Sequence, residues 1–200
     1  MSRAFLFDIG NVLVHFDFEP AVRRFAELSN TTAAEVKSLL APFKDDHESG
    51  RLSDADFITQ GIALIGFRRA RAEFAEIWSD IFTENAPMTA LVEKLAGRHP
   101  LYLVSNTSGI HKDWLFQKFP LFACFDGGVY SYEAGCAKPH EQIYLEAVAR
   151  FGLNPAETLY IDDLPENITA GDRLKFATHR YAAGRHDALE ERVERWLSDG

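Results

Sequence analysis

Cysteine is scarce in this chain. Cys124 and Cys136 are the only two in 200 residues, they stand in unlike contexts and they form no CxxC pair, so neither a zinc site nor a disulfide framework is indicated. Long apolar runs are missing as well: no stretch reaches the roughly 18 consecutive apolar residues that a membrane span requires. Met1 to Asp8 reads as no signal peptide, because its apolar run is short and ends in an acid. Positive charge is in deficit, with 21 Lys and Arg against 30 Asp and Glu and a net charge of −9. This balance argues against nucleic-acid and membrane-surface partners. It also repels anionic substrates, so a phosphate site needs local cations or a bound metal. The chain has no internal repeat and no low-complexity segment. The expectation is a soluble, cytoplasmic protein.

Apolar material is plentiful, at 46% of residues with 16 Phe, enough for a substantial core. Its most informative use is Ala4 to Val14, AFLFDIGNVLV. An apolar, β-prone run delivers one carboxylate, Asp8, and breaks at Gly10-Asn11. A buried strand ending in an acid holds that acid at the carboxyl edge of a sheet, where open α/β folds bind ligands. Burying a charge there is costly unless a cation or substrate uses it. The structural alternative is a helix N-cap or turn Asp.

Beyond the first strand the text is helical. Pro20 suits a helix start, with Val22, Phe25 and Leu28 at helical spacing. Thr32-x-x-Glu35 is a capping box ahead of Val36, Leu39 and Leu40. A helix begins after Ser53, and Ala70 to Phe82 is amphipathic, with Phe74, Ile77, Trp78 and Ile81 on one face. About seventy residues pass without a convincing strand and read as a helical insertion. Helices and strands then alternate: a helix from Thr89, strand Leu101–Val104, a helix over Ile110–Lys118, short strands at Phe122–Phe125 and Gly128–Ser131, and a helix over His140–Phe151. Strand Thr158–Ile161, a helix over Pro165–Leu174, an edge strand over Phe176–Tyr181 and a last helix over Ala188–Leu197 complete the chain. The fold class is α/β, with a doubly wound parallel sheet. The expected core covers 1–15 and 88–200, and a small all-helical domain covers 16–87, inserted after the first strand.

Three buried strands thus end in polar chemistry: Asp8, Ser105-Asn106 and Asp162-Asp163. Parallel strands bring such ends together. Clustered carboxylates repel unless a hard cation sits among them, and an all-oxygen set favours Mg²⁺. Lys138, in Ala137-Lys138-Pro139-His140, supplies a compact positive charge for a phosphate and a nucleophilic carboxylate.

The order Asp8-Ile9-Gly10-Asn11-Val12, Val104-Ser105-Asn106, Lys138-Pro139 and Ile161-Asp162-Asp163 resembles the four motifs of the haloacid dehalogenase-like (HAD) hydrolase superfamily. The helical stretch falls where that family inserts its cap domain. The segments FDIGNVLV, SGRLS, SNTSGIH, KPHEQIY and YIDDLPENITA are similar to its α-D-glucose-1-phosphate phosphatase branch. The resemblance implies a Mg²⁺-dependent phosphohydrolase acting on a small phosphorylated metabolite such as a sugar phosphate. Asp8 would be the nucleophile, forming an aspartyl-phosphate that water hydrolyses. Asp8, the Gly10 carbonyl and Asp163 would bind Mg²⁺, with Asp162 supporting directly or through water. Ser105 and the Asn106 backbone would contact the phosphoryl oxygens, and Lys138 would neutralise charge.

Gly10 departs from the family pattern, which usually carries an acid/base Asp there. Its loss implies a slow enzyme or a preference for good leaving groups, unless Asp17, His15 or His111 substitutes. Two rivals stay open: a 2-haloacid dehalogenase using Asp8 on carbon, and a catalytically weak phosphate-binding module. His111 is a candidate substrate contact as well as a candidate surface residue. His140 reads as a first-turn helix residue and Arg51 as an exposed turn residue. Asn167 is read as steadying the Asp162-Asp163 turn. Phe16, Phe18 and Trp78–Phe82 read as core of the insertion, Trp114 and Trp196 as packing, and Arg68, Arg69 and Arg71 as a solvated basic turn. No oligomeric state follows from the residues.

Overall fold

The structure, a computed structural model, describes residues 3–198. Residues 1–2 and 199–200, the outermost positions of the expected core, lie outside the described residues. Strand β1 (Ala4–Phe7) is buried along its whole length, as a parallel strand covered on both faces must be. It pairs in parallel with β4 (Leu101–Ser105) on one side and β6 (Thr158–Asp162) on the other. With β5 (Gly127–Tyr130) and β7 (Ala177–Arg180) outside these, the sheet order is β5-β4-β1-β6-β7.

Side chains alternate across the sheet with the period of two that a strand imposes. Phe5, Phe7, Leu101, Leu103, Leu159 and Ile161 face one layer, with Met88, Leu91, Val92 and Leu95 of α5 (Ala86–Leu95) and Leu189, Val193 and Trp196 of α10 (His186–Ser198). Leu6, Val104, Val129 and Tyr160 face the other, against Ile143, Tyr144 and Ala147 of α8 (Glu141–Phe151) and Ala170 of α9 (Pro165–Arg173). The sheet is doubly wound. Phe5 and Phe7 are both fully buried, and each such ring stabilises the fold by roughly 1.5–3 kcal/mol relative to exposure.

Between β1 and α5 lie α1 (Glu19–Glu27), α2 (Ala33–Glu48), α3 (Asp54–Ile65) and α4 (Arg71–Ser79). They share a separate core built from Phe25, Val36, Leu40, Phe57, Phe74 and Trp78. Thr32 and Glu35 form the capping box: Thr32 N–H donates to the Glu35 carboxylate at 2.7 Å and Glu35 N–H to the Thr32 hydroxyl at 3.3 Å.

Two local expectations fail. The chain leaves and re-enters the core through an antiparallel ribbon of β2 (Val14–Phe16) and β3 (Phe82–Glu84), with Phe16 opposite Phe82. The amphipathic helix therefore stops at Ser79, short of Phe82. Three residues per strand are too few to show an alternation of their own, and their pairing partners lie almost seventy residues apart. Phe122–Phe125 is not a strand either: Pro120–Cys124 is a 3₁₀ turn that buries Leu121 and Phe122 against the sheet. Pro120 opens that turn, where its fixed φ suits a helical start and its missing N–H costs no bond.

Candidate active site

Asp8 directly follows β1, and its N–H donates to the Ile161 carbonyl of the neighbouring strand at 2.9 Å. Because β1, β4 and β6 run in parallel, Asp8, Ser105 and Asp162 reach the same edge. Lys138 joins them from the loop between α7 (Ser131–Ala134) and α8. Its ammonium lies 2.7 Å from Asp8 Oδ1 and 2.6 Å from Asp162 Oδ2. Asn106 fixes that loop at two points: its Oδ1 accepts from Lys138 N–H at 2.7 Å and its Nδ2 donates to the Lys138 carbonyl at 3.0 Å. The Asn106 side chain is therefore a clamp on the lysine loop.

The two neighbouring aspartates differ sharply. Asp162 is fully buried, and its oxygens accept from Lys138 Nζ, Tyr160 Oη at 2.6 Å, Leu164 N–H at 2.9 Å and Asn167 Nδ2 at 3.0 and 3.1 Å. Asn167 thus holds the Asp162 carboxylate rather than turn backbone. Among the described residues, the Asp163 carboxylate accepts one side-chain bond, from Asn11 Nδ2 at 3.3 Å. Asn11 has a φ of +54°, a left-handed conformation that Asn tolerates better than most residues.

Charge is out of balance here. Asp8, Asp162 and Asp163 each offer a carboxylate oxygen, and these atoms lie within 4.8 Å of one another. Burial raises the Asp8 carboxyl to about 6, Lys138 pulls it down and Asp162 pushes it up. Burial and then repulsion from Asp162 also raise Asp163. Burial alone would lower Lys138, but Asp8 and Asp162 outweigh it and keep the ammonium firmly charged. One lysine does not neutralise three carboxylates. The unmet charge, the hard oxygen donors and the absence of soft ligands among them fit Mg²⁺. Since the partners of Asp162 already fill its oxygens, Asp8 and Asp163 are the carboxylates open to an ion.

Asp8, Lys138 and Asp163 line a cavity of about 250 Å³, together with Gly10, Ser105 and Asn106. The insertion lines the same cavity with Lys44 and Glu48 of α2 and with Phe18 just before α1. Phe16 of the ribbon also borders it. Lys44 Nζ lies 2.8 Å from Glu48 Oε2, and burial raises the Glu48 carboxyl against the lowering effect of Lys44. Neither residue stands out in the sequence, because a Lys and a Glu four apart on an amphipathic helix read as a solvated surface pair. Phe16 sits over Gly10, so that a Cβ at position 10 would lie 3.1 Å from its ring. No side chain reaches the cavity from position 10.

The other candidates have different surroundings. His111 lines the cavity but is buried in the seam between core and inserted helices, stacked on Trp78 with ring centroids 5.7 Å apart. Its Nε2 lies 3.0 Å from the Trp78 carbonyl, which can only accept, so this nitrogen carries the proton. Burial lowers the imidazole to about 4, so it is neutral at neutral pH and cannot act as a cationic acid. The Asp17 carboxylate is exposed and caps the Glu19 N–H at 2.9 Å. Neither Asp17 nor His15 is among the cavity's lining residues. His140 is the N-cap of α8, accepting from Gln142 N–H at 3.3 Å. Arg51 pairs with Asp46 on the surface.

Known proteins share this arrangement of strands and insertion. The family model described as haloacid dehalogenase-like hydrolase matches residues 2–174. The D-ribitol-5-phosphate phosphatase of Bacteroides thetaiotaomicron is 28% identical over 190 residues, covering 89% of this chain and 91% of that protein. The structure of a HAD-like family hydrolase from Porphyromonas gingivalis aligns with a TM-score of 0.80 at 30% identity, over 98% of each chain. A HAD family enzyme from Bacteroides thetaiotaomicron, solved in complex with magnesium and inorganic phosphate, aligns with a TM-score of 0.79 at 24% identity, over 92% of this chain and 96% of that one. With a matching family model spanning most of its length and the strand-edge carboxylates in place, the chain belongs to the haloacid dehalogenase-like hydrolases.

Proposed function

We propose that this chain is a Mg²⁺-dependent phosphatase that cleaves a small phosphorylated metabolite, of the sugar-phosphate or polyol-phosphate kind, through an aspartyl-phosphate. The observation that carries the reading is the buried Asp8–Lys138–Asp162 line beside the less encumbered Asp163. Lys138 holds Asp8 Oδ1, and Oδ2 is the oxygen we assign to attack. Attack on phosphorus forms an O–P bond to Asp8 while the bond to the leaving oxygen breaks. Water then attacks the phosphorus, releasing inorganic phosphate and restoring the Asp8 carboxylate. Lys138 sets the orientation of Asp8 and balances charge on the phosphoryl oxygens, Ser105 donates to one of them, and Asp162 keeps Lys138 in position. A Mg²⁺ held by Asp8, Asp163 and the Gly10 carbonyl supplies charge neutralisation to the phosphoryl group.

Position 10 offers no acid to protonate the leaving oxygen, a contribution worth about 10²–10⁴-fold where it exists. The leaving oxygen therefore takes its proton from water, which makes the chemical step faster for an anomeric sugar phosphate and slower for a polyol phosphate, whose leaving group is a primary alkoxide. The substrate of the curated relative, D-ribitol 5-phosphate by its name, supports a phosphorylated sugar or polyol. The seam of His111, Trp78 and Phe18 is a packed joint in this scheme rather than a catalytic one.

The test is phosphate release from a panel of sugar phosphates, polyol phosphates, nucleotides and 4-nitrophenyl phosphate, with and without Mg²⁺. Release that requires both Mg²⁺ and Asp8, and is absent from Asp8→Asn, is the expected result. Release that survives EDTA or Asp8→Asn would overturn the mechanism. Halide release from a 2-haloacid without metal would favour carbon as the electrophile instead.

A further inference from the structure

We infer that the Lys44–Glu48 pair is the specificity element for the organic half of the substrate, and that it selects an uncharged polyhydroxylated group. This rests on the phosphatase reading of the same cavity. Asp8, Ser105, Lys138 and Asp163 are suited to a phosphoryl group and its metal, and the cavity's other charged lining residues are Lys44 and Glu48 of α2, so we place the leaving group against the wall built by α2. On that wall an ammonium and a carboxylate stand 2.8 Å apart. Their charges cancel, so the wall offers no net attraction to a second phosphate or to a substrate carboxylate. An apolar leaving group would strip water from the pair without replacing the hydrogen bonds that water makes to it. A hydroxyl both donates and accepts, so it can bond the carboxylate and the ammonium in turn. Phe16 and Leu164, 42% and 44% exposed at the cavity rim, supply apolar surface for the C–H face of a sugar or polyol.

The pair is also held in place. The Glu48 carbonyl accepts from the Ser131 hydroxyl. That same hydroxyl oxygen accepts from Thr107 N–H at 2.9 Å, two residues beyond Ser105. One buried serine therefore ties the end of α2 to the loop that borders the phosphoryl site. Gly50 permits this approach: its φ is +73°, and a Cβ there would collide with the Tyr132 carbonyl. The distance from phosphoryl site to wall is set by the fold rather than by a free loop, which makes the pair a ruler as well as a charge filter.

The experiment compares kcat/KM of the full chain with Mg²⁺ on a pentitol 5-phosphate, 4-nitrophenyl phosphate and 3-phosphoglycerate, for the parent, Glu48→Gln and Glu48→Lys. A hydrogen bond to a charged group supports a loss of about 10- to 100-fold. Glu48→Gln should lower the polyol-to-aryl ratio by that amount, chiefly through KM. Glu48→Lys should raise the ratio of 3-phosphoglycerate to polyol phosphate by at least about 10-fold, as the wall becomes cationic. Aryl phosphate turnover reports that each variant is folded and that its phosphoryl site works. Ratios that stay within about threefold of the parent in both variants, or a parallel loss on every substrate, would overturn the inference. Absence of Mg²⁺- and Asp8-dependent release from 4-nitrophenyl phosphate in the parent would overturn the phosphatase reading itself, and this inference with it.

Discussion

Asp8→Asn should make the metal-free protein more stable, and by an amount that depends on pH. Asp8 is buried, and its carboxyl titrates near 6 in the fold against 3.8 for the free group. A carboxyl with a raised folded value favours the folded state only while protonated. Its penalty is absent below the unfolded value, grows as pH rises from the unfolded value to the folded one, and is complete above the folded value. The difference of about two pH units corresponds to about 3 kcal/mol when Asp8 is fully ionised in both states. At pH 5, where the folded carboxyl is still mostly protonated, about half of that penalty remains. Asn copies the shape of the protonated acid, and Lys138 keeps its bond to Asp162 at 2.6 Å.

Urea denaturation in EDTA at pH 8, 6 and 5 would measure this. The expected gain for Asp8→Asn is about 2–3 kcal/mol at pH 8, shrinking to roughly half at pH 5. Mg²⁺ should narrow the gap at pH 8, because an ion that binds only the folded state stabilises it and the parent carries the full ligand set. A variant less stable than the parent at pH 8, or a difference that does not change with pH, would refute the reasoning. It would mean that the Lys138 bond outweighs the burial of Asp8, so that this carboxylate is held without strain.

Lys138→Met should cost about 3–5 kcal/mol at pH 8, because it leaves Asp8 and Asp162 buried with no counter-charge. The loss should ease as pH falls and the carboxyls protonate, which urea melts across pH would show. Asp163→Ala should abolish Mg²⁺-dependent turnover and the Mg²⁺-induced rise in melting temperature, yet leave the metal-free protein at least as stable as the parent, since burial and Asp162 already raise this carboxyl. A normal Mg²⁺ response in that variant would remove Asp163 from the site. Gly50→Ala should cost about 1–3 kcal/mol from its left-handed backbone and the collision with Tyr132. It should also speed hydrogen exchange at the end of α2, and unchanged exchange there would mean that the helix end is not tied to the core.

The layout of the core was readable because its signals are local. An apolar run ending in a polar group marks a buried strand and its carboxyl edge without knowledge of any partner, as at Asp8, Ser105 and Asp162. Parallel topology then brings those ends together. The capping box at Thr32 and Glu35 and the helix stop at Gly152 are equally local. What could not be read depends on which elements meet. The ribbon of β2 and β3 is defined only by its pairing across the insertion. Nothing near Lys44 or Glu48 shows that their face of α2 covers a cavity.

The two adjacent aspartates make the same point at the scale of single atoms. By residue type Asp162 and Asp163 are alike, and only the family resemblance sets Asp163 as the metal ligand and Asp162 in support. Asp162 is the last residue of β6, so its carboxylate stays within the sheet's layers and meets Tyr160, Asn167 and Lys138. Asp163 lies one residue beyond, past the end of the strand, and among the described residues only the Asn11 amide donates to its side chain. A shift of one position along the chain thus separates a carboxylate that anchors the lysine from one left more open. His111 illustrates the reverse case. A histidine opening a helix beside a phosphate edge has the chemistry of a proton donor, but burial holds it neutral, against the pull of the Trp78 carbonyl, whose hydrogen bond favours the protonated ring. Residue type narrows the chemistry a position can perform. Its partners, which come from distant parts of the chain, decide which of those possibilities the folded protein keeps.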